Sequence, residues 1–118
     1  HHADIGPVRQ HGLPNSSPHP KWLTYHQQVW DSLNSATLDL VFIDGRFRLA
    51  CACQAILRCA QRPPLLIHDF SCRPQYHPIL EFADVLDQAG TTVVIQQKPD
   101  SDARKVALLL QRTQFDPE

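Results

Sequence analysis

Apolar residues fall along this chain in two alternating styles, short unbroken runs and longer stripes at helical spacing. The run Asp39-Leu40-Val41-Phe42-Ile43-Asp44-Gly45 and the run Leu65-Leu66-Ile67-His68-Asp69 each end at an acid. Continuous runs of this length fit strands buried on both faces of a parallel sheet. Between them Leu49, Cys53, Ile56, Leu57 and Ala60 form one stripe of a helix that Pro63 and Pro64 terminate. Earlier, Trp22, Val29, Trp30 and Leu33, with His26 on the same face, predict a helix over 21–33 that Pro20 opens. Later, Ile79, Phe82, Ala83 and Leu86 predict a helix over 76–89 with Gly90 as its cap. Five β-branched residues, 91–95, then predict a strand, broken by Lys98, Pro99 and Asp100. Ala103, Val106, Ala107 and Leu110 predict a final helix over 101–113, with Asp102 in its first turn; an edge strand over 106–110 is the alternative.

That order, helix and strand in alternation, predicts an α/β fold: a partial Rossmann-like, mostly parallel sheet flanked by helices. All of 1–118 reads as one domain, with a Pro/Gly/Ser-rich loop over 6–20. In such sheets ligands bind beyond the carboxyl ends of the strands. Residues 44–46 and 68–70 stand at two such ends.

Composition narrows the partners. The chain has 118 residues, 42% hydrophobic and 19% charged, with a formal charge of −1 and a pI near 6.7. A chain of this size hides roughly two thirds of its unfolded surface without needing metals or disulfides. Near-neutral charge offers no broad field for a phosphate backbone, so no nucleic-acid partner is expected. No apolar run approaches the roughly 18 residues of a membrane span, and His1, His2, Ala3 and Asp4 do not open a secretory signal. No membrane partner and a cytoplasmic location are therefore the expectations.

Cys51, Cys53, Cys59 and Cys72 sit among small and apolar residues, which favours free thiols. A zinc site from Cys51, Cys53, His68 and Cys72 is disfavoured, because residues two apart on a helix point in different directions and no CxxC pair exists. No metal is expected. Asp44 and Asp69 could project from one edge of the sheet and bind a hydroxyl or cationic group, although an Asp in this position also serves as a helix cap. His68 could act as a general base near neutral pH, and Arg46, Arg48 and Arg73 lie close enough in sequence to recognise a carboxylate or phosphate.

The segment Leu40-Val41-Phe42-Ile43-Asp44-Gly45, the helix after it, and Leu65-Leu66-Ile67-His68-Asp69-Phe70 resemble the centre of the class I S-adenosylmethionine-dependent methyltransferases. The likeness is to the branch whose fourth strand ends in Ile-Asp-Gly and whose fifth ends in His-Asp. Ala3-Asp4-Ile5-Gly6 and Phe115-Asp116-Pro117 are similar to segments of bacterial members. The resemblance implies S-adenosylmethionine as cofactor, with Asp4, Ile5, Gly6, Asp44 and Gly45 beside it. It also implies a small-molecule acceptor, with His68 as the base, Asp44 and Arg46 orienting, and Asp69 in the same site. The glycine-rich loop of the family has no counterpart, since Gly6, Gly12, Gly45 and Gly90 are scattered.

Three functions follow as expectations. The first is a methyltransferase-like protein acting on a hydroxyl or similar acceptor, incomplete or inactive for want of the glycine loop. The second is a non-catalytic remnant or interaction module of the same fold, and the third a small α/β hydrolase using Asp44 and Asp69. In this family likeness the strand ending at Asp44 has an open edge, and a homodimer, or an N-terminal segment, is expected to cover it.

Overall fold

The computed structural model describes residues 8–10, 13 and 20–118. Asp4, Ile5 and Gly6, and most of the 6–20 loop, lie outside the described residues. Helix α1 spans Trp22–Gln27 and passes into a 3-10 turn, Gln28–Asp31. Strand β1 (Val41–Ile43), helix α2 (Arg48–Arg58) and strand β2 (Leu65–Ile67) follow. A 3-10 segment over Pro74–Glu81 leads to β3 (Ala83–Ala89), β4 (Thr92–Gln97) and α3 (Ala103–Thr113).

The sheet order is β1-β2-β4-β3. β1 and β2 are parallel, with Val41 opposite Leu65 and Ile43 opposite Ile67. β4 runs antiparallel to both of its neighbours, so β1, β2 and β3 point one way and β4 alone is reversed. The expected α/β fold, a sheet flanked by helices, is therefore present, and the sheet expected to be mostly parallel is mixed, with β1 and β2 parallel and β4 antiparallel to both of its neighbours.

Three expectations change. The helix over 76–89 is instead a 3-10 segment followed by an edge strand. Pro74 and Pro78 deny an α-helix its donors there. Gly90, at φ 59°, takes the first position of the two-residue turn between Ala89 and Thr92, where a positive φ suits a hairpin. A register shift between Val85 and Asp87 leaves Leu86 exposed. The second change concerns burial, which alternates in the strands: Ile43 is buried while Phe42 is 62% exposed. The helix over 21–33 is also shorter than expected. The Trp30 indole donates to the His26 carbonyl at 3.2 Å, the group a continuing α-helix would give to the Trp30 amide. The last segment is helix, capped by the Asp102 carboxylate on the Arg104 amide, which removes the edge-strand alternative.

One face of the sheet carries the core. Ile43, Leu65, Ile67, Val93 and Ile95 pack with Leu49, Ala52, Cys53 and Ile56 of α2, and with Val106 of α3. A second cluster, Trp22, Phe47 and Ala50, joins α1 to the start of α2, with Phe115 against it. These two clusters fix the carboxyl ends of β1 and β2 in place. Ile95→Ala is expected to cost about 2–5 kcal/mol in urea denaturation, whereas Phe42→Thr is expected to stay within about 0.5 kcal/mol. Similar losses from both would contradict a one-faced core.

Candidate functional site

At the carboxyl end of β1 the chain turns through Asp44, Gly45 and Arg46 into α2. The turn has an outside support: the Arg46 amide donates to the Tyr25 hydroxyl at 3.0 Å. Gly45, at φ 154°, lies against that same hydroxyl, and a Cβ there would collide with it. Glycine is required at this position by the close approach of α1. Phe47 follows in the left-handed region at φ 53°, fully buried, its ring 5.3 Å from Tyr25 and 5.7 Å from Trp22. Its amide donates to the Pro117 carbonyl, so the C-terminal tail also pins the turn.

β2 ends on the neighbouring track. The His68 amide donates to the Ile43 carbonyl, and Asp69 takes a left-handed conformation at φ 53°. The β3–β4 hairpin holds this segment: the Thr91 carbonyl accepts from the amides of Phe70 and Ser71, and the Thr91 hydroxyl donates to Asp69 Oδ1 at 3.1 Å. His68 Nε2 lies 3.3 Å from Asp69 Oδ1, and Nδ1 lies 3.0 Å from the Thr92 hydroxyl. Each ring nitrogen of His68 thus faces a polar group, a carboxylate at Nε2 and a hydroxyl at Nδ1.

Arg48 joins the two strand ends. Its Nη2 is 3.1 Å from Asp44 Oδ1 and 3.8 Å from Asp69 Oδ2. The arginine side chain is only 8% exposed, against 46% for Asp44 and 34% for Asp69. Burial works against the guanidinium charge, yet Tyr76 and Asp44 outweigh it and hold the Arg48 pKa above its ordinary value. Asp44 therefore does not cap α2, whose N-cap residue Phe47 makes no side-chain cap bond.

The structure thus brings Asp44, His68 and Asp69 to one rim. Arg46 is placed there too, lining the cleft beside Asp44, but the cation that reaches both acids is Arg48. The i,i+4 spacing of Asp44 and Arg48 is the signal for that pair in the sequence. Tyr25, Thr91 and Thr92 also serve the site. They come from elements distant in the chain, and only the fold reveals them.

Beside this rim, between α1 with its 3-10 extension and the open side of β1, lies a cleft of about 330 Å³. Trp30, Leu33, Leu40 and Phe42 wall it, and Tyr25 and Asp44 border it. Below it His26 is buried, its Nδ1 3.2 Å from Gln54 Nε2, while Gln54 Oε1 accepts from Arg58 at 2.9 Å. Burial lowers the His26 pKa, the Gln114 backbone raises it in part, and the charge of Arg58 lowers it further. Burial also pushes the Cys51 and Cys53 thiols up to about 12. Among the described residues no three His, Cys, Asp or Glu side chains converge as a metal site, and no helix is long and apolar enough to cross a membrane.

Among solved structures the chain is similar to a methyltransferase-like protein from Silicibacter pomeroyi, with a TM-score of 0.81 and 30% identity. The match covers 98% of this chain and 60% of that one, so the chain spans about three fifths of that protein's length. No protein-family model matches the chain, and no curated protein matches it significantly. The fold is methyltransferase-like.

The lowered His26 pKa gives stability a pH dependence. Below 6.5, its ordinary value, the unfolded chain takes up a proton that the folded chain resists, so stability falls as the pH falls through that range. His26→Gln is expected to flatten this slope in denaturant titrations at stepped pH. Parallel curves for the two proteins would contradict the burial of a neutral His26.

Proposed function

We propose that this chain is a unit of an S-adenosylmethionine-dependent methyltransferase that handles a small-molecule hydroxyl acceptor. The observation that carries the reading is the gathering of Asp44, His68 and Asp69 at adjacent strand ends within a methyltransferase-like fold. S-adenosylmethionine, when bound, supplies an electrophilic methyl group, and what the protein adds is alignment of the acceptor with it.

The residues can do the acceptor's half of this chemistry. His68 is 44% exposed, close enough to solvent for a ligand to approach. In this reading the acceptor's proton passes to the Thr92 hydroxyl as that hydroxyl gives its own proton to Nδ1, and the imidazolium so formed lies beside the Asp69 carboxylate. Arg48 occupies one oxygen of Asp44 and leaves the more exposed part of that carboxylate to orient a donor. Arg46, at the cleft's border, is the second orienting group in this reading.

The described residues do not fit the cofactor as a complete cradle. The backbone of Gly45 is covered by Tyr25, and Gly90 stands in an open hairpin turn with nothing within 4 Å of its Cβ position. Both strand-end acids are already engaged by Arg48. No step is therefore routed through the cofactor. This same observation favours, as a second reading, a non-catalytic interaction module of the same fold. The hydrolase alternative gains nothing, because a buried cation spans the two acids it would need.

Calorimetric titration of the 118-residue chain with S-adenosylmethionine is expected to give binding no tighter than about 1 mM, roughly 4 kcal/mol. Micromolar binding would contradict the poor fit. Any methyl transfer to a phenol that the chain supports is expected to fall by about 10²–10⁴ in His68→Ala and in Asp44→Asn. Unchanged turnover in either variant removes that residue from the reaction.

A further inference from the structure

The Tyr25 hydroxyl has a second capacity that the described residues leave unused. It accepts the Arg46 amide, and its own proton meets no acceptor among the described residues. Because this hydroxyl lies against Gly45, it stands next to the residue that follows Asp44, at the polar end of the cleft. Asp44 Oδ1 accepts from Arg48 Nη2, and the second oxygen has no partner among the described residues. Both groups border the same end of the cleft, where Arg46 also lies.

A hydroxyl group answers both, since it donates one hydrogen bond and accepts another. Apart from Arg46 at that end, the walls formed by Trp30, Leu33, Leu40 and Phe42 are apolar but for one indole nitrogen, and that nitrogen is bonded to the His26 carbonyl. At about 330 Å³ the cleft is at the small end of ligand sites. We propose that it binds a compact apolar alcohol of the phenol class, with its ring between Trp30 and Phe42 and its hydroxyl between Tyr25 and Asp44. This rests on the reading of Asp44 as a group that orients a hydroxyl, and it names the class of molecule and Tyr25 as the residue that selects it; the cleft lies beside His68's rim and His68 is not among its lining residues.

A site built to hydrogen-bond a hydroxyl rejects the analogue that lacks it, because its own polar groups are then left unpaired. The test is titration of the full chain with 4-methylphenol and with toluene, without cofactor, followed by tryptophan fluorescence and by amide shifts of residues 40–46. The phenol is expected to bind at least about tenfold tighter than toluene. Tyr25→Phe is expected to erase most of that preference while toluene binding is kept, and Asp44→Asn to reduce it. Phe42→Thr is expected to weaken both probes alike.

Equal affinity for the two probes overturns the proposal, as does binding of neither. So does a preference that survives Tyr25→Phe, or a stable dimer in light scattering whose second copy covers Phe42 and excludes both probes. Since no cofactor is present, failure of methyl transfer leaves this result standing, and loss of the hydroxyl preference leaves the cofactor titration standing.

Discussion

The ends of β1 and β2 are held together by one buried cation. Arg48 lies in the first turn of α2, where the helix dipole already presents positive potential, and its side chain is almost wholly removed from water. Left alone, such a charge would cost several kcal/mol. Asp44 from one strand end and Asp69 from the next offset that cost, and only while both stand on the same rim. The electrostatic need of Arg48 and the placement of the two acids are therefore one constraint seen from two sides.

That constraint explains the unusual backbone around it. Phe47 and Asp69 both sit at φ 53°, a conformation that costs an L-residue roughly 1–2 kcal/mol. Each is repaid locally, Phe47 by full burial among aromatic rings and Asp69 by the Thr91 hydroxyl. The supports come from far along the chain: Tyr25 in α1, Pro117 in the tail, and the hairpin turn at Thr91 and Thr92. A rim built this way is tied down where the acids are, and β1 is the edge of the sheet among the described strands. That combination sets a fixed pair of strand-end acids beside an apolar cleft.

Much of this could be read from residue pattern. Leu65-Leu66-Ile67 is a strand of the same bounds in the structure, and the stripe from Leu49 to Leu57 lies on α2. The acids at the strand ends also fall together as their positions suggested. The polar strand Ala83–Ala89 was hidden, because six of its seven residues face water and Asp84, Asp87 and Gln88 carry no strand preference. Its helical-looking stripe arises from two unrelated causes, a 3-10 segment that buries Ile79 and a strand start that buries Ala83. Arg48 was legible as a neighbour of the acids but not as their clamp, since burial of an arginine is decided by tertiary packing. Tyr25 was invisible for the same reason; only the squeeze against Gly45 marks it.

The most direct test of this account is a double-mutant cycle between Asp44→Asn and Asp69→Asn, measured by chemical denaturation in the wild-type background and again with Arg48→Met. A shared cation predicts a coupling of about 0.5–3 kcal/mol that disappears once Arg48 is gone. Additive losses with Arg48 present, or a coupling that persists without it, would contradict the clamp and the site built upon it.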